Sequence, residues 1–143
     1  MTQLKIAINK DIETVWKYIS NIESHENWMQ DAKNVELISG VPNTVGAKYV
    51  CDTMVGPLRT KDTFELLAYK KPDYMEIYHF GAVSGSGYFR LNKLTQNCTE
   101  FIWEEELKFP SYMGGIAGKK IAMFLLHNIW RKNLRNLKEA IEK

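Results

Sequence analysis

The stretch that decides the fold is Gly115–Lys143, which reads GIAGKKIAMFLLHNIWRKNLRNLKEAIEK. Mostly apolar side chains recur in it at steps of three and four residues, the spacing that places them on one face of a helix. This stripe comprises Ala122, Leu126, Ile129, Trp130, Asn133, Leu137, Ala140 and Ile141. No proline interrupts the run, so it predicts one long amphipathic helix that needs a broad apolar surface to lie on.

The surface for this helix is predicted from the segments that precede it, which are short, rich in β-forming residues and separated by turn residues. The expected strands are Thr2–Asn9, Val35–Ser39, Gly46–Met54, Leu58–Tyr69, Tyr74–Phe80, Gly87–Leu94 and Thr99–Phe109. Short turns such as Gly56-Pro57 join the last six strands, which makes them an antiparallel meander. Two short helices are expected after the first strand, one capped by Asp11 and ending at Ile19, the other spanning Ile22–Met29.

The composition narrows the possible functions. At this length the chain is expected to form one domain, residues 1–143. Its formal net charge of +2 is too small to indicate a nucleic-acid partner. Cys51 and Cys98 form no CxxC motif, and no phosphate loop or metal-ligand spacing is present, so neither a cofactor nor a metal ion is expected. Because no apolar run reaches the roughly 18 residues of a membrane span, we expect a cytoplasmic protein without stable membrane insertion.

Motifs spread along the whole chain carry a family resemblance. They are Ile6-Ala7-Ile8 before Asp11–Trp16, Ser20-Asn21-Ile22 before Asn27-Trp28, Val45-Gly46-Ala47, Gly114–Lys119, and Asn133–Lys138 with Glu142. In this order and spacing they resemble the START-like helix-grip fold of the SRPBCC superfamily, the polyketide cyclase/dehydrase and lipid-transport group. The resemblance implies an α+β fold in which a curved antiparallel sheet wraps around the long C-terminal helix. It also implies a cavity between them that holds a lipid, sterol, polyketide, quinone or plant hormone, with no catalytic residues common to the family.

Strand alternation separates side chains that face the cavity from those that face solvent. The apolar positions of each strand fix which set points inward, and polar residues in the same phase are then expected to point inward too. The predicted inner set is Tyr49, Cys51, Thr53, Leu58, Thr60, Asp62, Phe64, Leu66, Ala68, Met75, Ile77, His79, Phe89, Leu91, Thr99, Phe101, Trp103, Glu105, Leu107 and Phe109.

Asp62, His79 and Glu105 interrupt these apolar faces with titratable groups. A buried charge without a partner costs several kcal/mol. Three arrangements therefore remain open: the groups pair, they touch water in the cavity or at the sheet's rim, or a bulge shifts the phase of their strands. Paired with a carboxylate, His79 could act as a general base in an aldol-type cyclisation or a dehydration. These three residues are the candidates for catalysis.

The favoured function is binding of a small hydrophobic or amphipathic molecule, of the lipid, polyketide or quinone class, in the cavity. Aromatic side chains would supply contact area and polar ones orientation. The predicted lining residues are Tyr49, Asp62, Phe64, His79, Phe89, Trp103, Glu105, Met123 and Trp130. An enzyme of the polyketide cyclase/dehydratase kind and a protein-interaction module are the alternatives. Whether the protein is an enzyme is left open, with non-enzymatic binding favoured.

The first turns of the long helix depart from its stripe. Ile121, Phe124 and Leu125 lie on the side that later carries Arg131, so the helix is apolar nearly all round at its start. We therefore expect something to cover them: the Tyr112–Gly118 segment folding back, a hairpin loop, a second subunit in a homodimer, or a membrane surface. The same end of the helix is hypothesised to gate the cavity.

Overall fold

The computed structural model describes all 143 residues. Its strands are β1 (Thr2–Ile8), β2 (Ala32–Ser39), β3 (Lys48–Val55), β4 (Leu58–Lys70), β5 (Tyr74–Phe80), β6 (Ser84–Thr95) and β7 (Cys98–Lys108). The α-helices are α1 (Ile12–Ile19) and α2 (Gly115–Glu142), and 3₁₀ helices span Ile22–Asn27 and Ser111–Met113. The predicted order of elements is confirmed, with the second short helix being of the 3₁₀ type and ending before Met29.

The seven strands form one antiparallel sheet in the order β1-β7-β6-β5-β4-β3-β2. From β2 to β7 each strand pairs with its neighbours in sequence, as the short turns predict. β1 joins the free side of β7, where Leu4 lies opposite Trp103. Helix α2 packs on the inner face of this curved sheet. The α+β helix-grip architecture expected from the sequence is confirmed.

Helix α1 forms because its first turn is capped and its apolar side chains share one face. The Asp11 carboxylate accepts hydrogen bonds from the Thr14 N–H at 3.1 Å and from the Thr14 hydroxyl at 2.6 Å. On the apolar face, the buried Trp16 ring packs against the ring of Tyr69 on β4, with centroids 5.2 Å apart. This contact ties α1 to the sheet.

From Leu126 onward the stripe of α2 is buried, except for Ile129 and Ala140, which are half-buried. Its buried residues are Leu126, Trp130, Asn133, Leu134, Leu137 and Ile141. The apolar ones join a core cluster of 23 buried residues that includes the inner face of the sheet. Leu134 is an addition to the predicted stripe, because the sheet covers a wider arc of the helix than the stripe alone indicates.

The start of α2 is exposed instead of covered. Ile121, Phe124 and Leu125 all keep a large part of their surface, 69% for Phe124. No part of this chain covers them, so the expectation of a hairpin loop or a folded-back segment is wrong. The reason is that Ser111–Met113 forms a 3₁₀ turn leading directly into α2. No helix in the structure, α2 included, has the length and apolar character needed to cross a membrane.

Two strand assignments need correction. A register shift between Leu66 and Ala68 turns Tyr69, and not Ala68, toward the core, because a bulge reverses the alternation beyond it. Strand β6 begins at Ser84 and not at the predicted Gly87, so Gly85, expected in a turn, is paired within the sheet along with Gly87. The second correction matters for the site described next.

Candidate functional site

A cavity of about 170 Å³ lies between the inner face of the sheet and α2. Strands β3 to β7 form its wall on one side, and α2, the start of β2 and the segment around the first 3₁₀ helix complete it. Of its 26 lining residues, 18 are hydrophobic. The cavity is therefore an apolar chamber with a small number of polar groups.

Seven of the nine predicted lining residues lie on this wall. They are Asp62, Phe64, His79, Phe89, Trp103, Glu105 and Trp130. Tyr49 lies behind the wall, because its ring stacks on Phe64 with centroids 5.3 Å apart and its hydroxyl accepts the Asn43 N–H at 2.8 Å. Met123 is also absent from the wall, since it is half-buried against the core one turn before Leu126. The expected lining positions of Tyr49 and Met123 are thus wrong.

Glu105 and His79 meet across strand β6. Glu105 Oε1 accepts a hydrogen bond from the Trp103 indole N–H at 2.8 Å. Its other oxygen, Oε2, lies 3.5 Å from His79 Nε2, which is an ion-pair distance, but Oε2 has no hydrogen-bond partner. The meeting is possible because the residue of β6 opposite Glu105 is Gly87, which has no side chain to block it.

The Glu105 carboxylate occupies the space that a side chain at position 87 would fill. A Cβ at position 87 would stand 2.9 Å from Glu105 Oε1 and 3.0 Å from Oε2. The carboxylate therefore lies directly over this glycine, where any other residue would push it aside. A glycine within a strand often marks close approach of another group, so Gly87 at the start of the predicted strand is the sequence signal that could have indicated this arrangement.

Two opposing effects set the pKa of His79. Burial lowers it most strongly, but the nearby carboxylates of Glu105, Asp62 and Asp31 together outweigh burial, with Glu105 the largest of the three. The net pKa lies above the ordinary value of 6.5. The side chain, 26% exposed, lines the cavity. His79 is therefore held toward its protonated form beside the Glu105 carboxylate.

Asp31 is a buried acid of the wall that the sequence did not indicate. Its Oδ1 accepts from the Asn133 amide at 2.7 Å and its Oδ2 from the Trp130 indole N–H at 3.2 Å, both on α2. Burial raises the pKa of Asp31, and these two hydrogen bonds oppose that rise. Asp31 escaped prediction because it lies just before β2, where no alternation marks the inward direction. No group of three or more His, Cys, Asp or Glu side chains is arranged to hold a metal ion.

The remaining polar wall groups are largely uncharged or internally bonded. His25 Nε2 donates to the Ile19 carbonyl at 2.7 Å, and burial lowers the pKa of His25 to about 4, so the ring is neutral at neutral pH. Burial raises the pKa of the Cys51 thiol to about 11, which makes it an unreactive wall group. Asp62 accepts the Thr60 hydroxyl at 3.0 Å. His25, like Asp31, lies in a segment without alternation and was not indicated by the sequence.

The family assignment follows from a match along nearly the entire chain. The family model described as polyketide cyclase / dehydrase and lipid transport matches residues 2–142. The chain belongs to this family. No functionally curated protein matches the sequence.

Solved structures share the fold at low sequence identity. An uncharacterised Bacillus thuringiensis protein has a TM-score of 0.77 at 17% identity, covering 99% of this chain and 98% of that one. A START superfamily protein from Mycobacterium smegmatis has a TM-score of 0.76 at 13% identity, covering 99% and 96%. The Zhui aromatase/cyclase of a Streptomyces species has a TM-score of 0.74 at 14% identity, covering 99% and 92%. At these identities the similarity extends to the START-like fold alone.

Proposed function

We propose that the chain, acting as a single domain, binds a small apolar or amphipathic molecule in the cavity. The observation that carries this proposal is an apolar chamber into which a few polar groups converge, the usual form of a small-molecule site. Family membership supports it, because the family's description joins polyketide chemistry with lipid transport. The proposed binding residues are Asp62, Phe64, His79, Phe89, Trp103, Glu105 and Trp130, all of which line the chamber.

The cavity volume limits the size of the ligand. About 170 Å³ is close to the roughly 150 Å³ of an engineered cavity that holds benzene, and below the roughly 300 Å³ of common drug-sized sites. A single-ring molecule therefore fits the chamber in this conformation. Within the lipid, polyketide and quinone class, the small cyclic members are favoured over long chains.

Tryptophan fluorescence provides the test. Trp103 lines the chamber, and its ring lies 5.4 Å from that of Trp130, so a bound molecule would contact both indoles. We expect single-ring quinones and phenols to change the emission, and Trp103→Phe to remove part of that change. Fatty acids and flavonoids complete the panel. If no compound alters the emission, and native mass spectrometry of protein from its host shows no retained small molecule, the binding proposal fails.

A second candidate function, cyclisation or dehydration of the bound molecule, is favoured by the pairing of His79 with Glu105. Because its pKa is raised, His79 would more readily donate a proton as a general acid than accept one as a general base. For a compound that binds and is converted, His79→Gln should abolish turnover and leave affinity within about threefold. His127→Gln, on the surface of α2, is the control. Wild-type turnover by a folded His79→Gln protein would exclude the catalytic role.

Two further proposals concern the location and the assembly of the protein. A cytoplasmic location is consistent with Cys51 and Cys98, which are both free thiols. A homodimer would use the exposed Phe124 and its neighbours at the start of α2. Light scattering would support it by giving twice the 16.6 kDa chain mass, with Phe124→Glu restoring the monomer. A mass of one chain at every concentration would exclude the dimer.

A further inference from the structure

The charged groups on the cavity wall are strongly unbalanced. The wall carries three carboxyl groups, those of Asp31, Asp62 and Glu105, and no lysine or arginine. The two histidines of the wall do not neutralise these three carboxyl groups. His25 is neutral and donates to a backbone carbonyl, and His79 is already 3.5 Å from a carboxylate oxygen. The polar part of the chamber is therefore acidic.

One oxygen of this acidic part makes no hydrogen bond, although His79 Nε2 lies 3.5 Å from it. Glu105 is only 6% exposed and lines the cavity, yet its Oε2 makes no hydrogen bond. Buried polar atoms in folded proteins nearly always have a partner, and an unsatisfied one needs an explanation. A bound molecule that donates a hydrogen bond to Oε2 would provide that partner. A molecule that can only accept would leave Oε2 unsatisfied and bury it further.

The same groups disfavour an anionic molecule. A ligand carboxylate or phosphate in the chamber would lie among three protein carboxyl groups with no lysine or arginine to neutralise it. Like charges in a low-dielectric site repel strongly, and an unpaired buried anion is costly. Fatty acids and phosphorylated lipids therefore do not suit this wall, although its apolar area would accept their chains.

We propose that the ligand is a single-ring aromatic molecule whose polar end donates a hydrogen bond to Glu105, as an alcohol, a phenol or a protonated amine does. The aromatic part would contact Phe64, Phe89, Trp103 and Trp130, and the volume of the chamber limits it to about one ring. The proposal rests on the proposed binding function and narrows its ligand class to hydrogen-bond donors.

Four compounds of nearly equal size test the ligand class on the unaltered protein. They are 2-phenylethanol, 2-phenylethylamine, phenylacetate and ethylbenzene, with affinities measured by isothermal titration calorimetry. A hydrogen bond to a charged group contributes roughly 1.5–3 kcal/mol, so we expect the alcohol or the amine to bind roughly ten- to a hundredfold more tightly than ethylbenzene. Phenylacetate should bind most weakly. The alcohol and the amine together distinguish a neutral donor from a cationic one.

Glu105→Gln removes the charge and keeps the size of the side chain. It should weaken the amine at least about tenfold relative to ethylbenzene and strengthen phenylacetate. Glu104→Gln is the matched control, because Glu104 is the next residue of β7 and pairs with Arg90 on the other face of the sheet. It should leave the four affinities in their original order.

The possible results separate two kinds of failure. If phenylacetate binds as tightly as the alcohol and the amine, or more tightly, the ligand class is wrong while cavity binding stands. The same conclusion follows if ethylbenzene binds as tightly as both the alcohol and the amine. If none of the four compounds binds, this proposal is overturned, whereas the proposed binding function is decided by the fluorescence panel and native mass spectrometry. The ranking on the wild-type protein decides the matter even if Glu105→Gln fails to fold.

Discussion

The position of the Glu105 carboxylate depends on Gly87, which has no side chain. Strands β5 and β7 are separated by β6, a distance that normally keeps their side chains apart. The Glu105 carboxylate lies over Gly87, where no side chain stands in its way, and reaches His79 on the far side of β6. Whether Glu105 and His79 meet in the chamber therefore depends on a single residue, Gly87.

The pKa of His79 gives a direct measure of this contact. In the wild type it should lie above 6.5, because the carboxylates outweigh burial. Glu105→Gln removes the largest of the charges that raise it and leaves only Asp62 and Asp31 to oppose burial, so we expect the pKa of His79 to fall. NMR titration of the imidazole protons measures the shift, with Glu104→Gln as the control. An unchanged pKa in Glu105→Gln would show that the two groups do not interact.

His25 should make the fold sensitive to acid. Its folded-state pKa of about 4 lies below the ordinary 6.5, so protonation favours the unfolded chain. The stability that depends on neutral His25 is complete above pH 6.5 and is lost as the pH falls from 6.5 toward 4. At about 1.4 kcal/mol per pKa unit, the loss amounts to about 3 kcal/mol.

Urea denaturation at a series of pH values tests this expectation. His25→Gln has no titrating ring, so the difference in unfolding free energy between wild type and variant should change by about 3 kcal/mol between pH 7 and pH 4. Asn128→Gln, on the exposed side of α2, changes no titrating group and should show no such change in the difference. A pH-independent difference for His25→Gln would show that the pKa of His25 is the same in the folded and unfolded protein, and would contradict the lowered value.

At the scale of the elements, α1 is a short helix with three side chains buried in the core, of which Trp16 is the largest. Eight residues form a marginal helix in isolation, so packing must stabilise it. Trp16 provides this packing, because it is 3% exposed and contacts the Tyr69 ring. The bulge in β4 is what turns Tyr69 inward to meet it.

Removing the Trp16 side chain should therefore cost much of the stability. We expect Trp16→Ala to lower the unfolding free energy by about 3–5 kcal/mol, the usual cost of truncating a buried aromatic side chain. The exposed neighbour Lys17 is the control, and Lys17→Ala should change it by less than about 0.5 kcal/mol. Chemical denaturation followed by circular dichroism measures both. A loss below about 1 kcal/mol for Trp16→Ala would show that α1 is not held by this contact.

At the scale of the whole molecule, a buried amide fastens α2 to the other end of the sheet. Asn133 is fully buried, its Oδ1 accepts the Gln30 N–H at 3.0 Å, and its Nδ2 donates to Asp31 Oδ1 at 2.7 Å. Asp31 also accepts the Trp130 indole N–H. The segment before β2, the helix and one wall of the cavity are thereby joined in a single network.

Substitution of this amide should destabilise the protein globally. Asn133→Leu has a similar size but leaves the Gln30 N–H and one oxygen of Asp31 without partners, so we expect a loss of about 3 kcal/mol. Asn128→Leu is the control, because the Asn128 amide bonds only the Phe124 carbonyl of the exposed helix start. It should cost less than about 0.5 kcal/mol. Equal stability of Asn133→Leu and wild type would show that the network does not hold α2.

Much of the fold and the inward direction of His79 and Glu105 could be predicted, because the periodicity of a helix or a strand is visible in a short stretch of sequence. The three- and four-residue spacing of α2 and the alternation of β5 and β7 placed His79 and Glu105 on the inner face without knowledge of other strands. Where the chain lacks a period, as at His25 and Asp31, prediction had no signal. Where a bulge interrupts the period, as before Tyr69, it gave the wrong face.

The sequence by itself determined the helix-grip architecture, the inward phase of most strands and the apolar character of the chamber. Only the tertiary structure decided which polar groups meet: Glu105 with His79 over Gly87, and Asp31 with Asn133. It also decided that Phe124 stays exposed. The physical reason is that pairing depends on register between strands and on how α2 lies across the sheet. Both are set by many contacts between residues that are distant in sequence, and a local pattern of residues does not record those contacts.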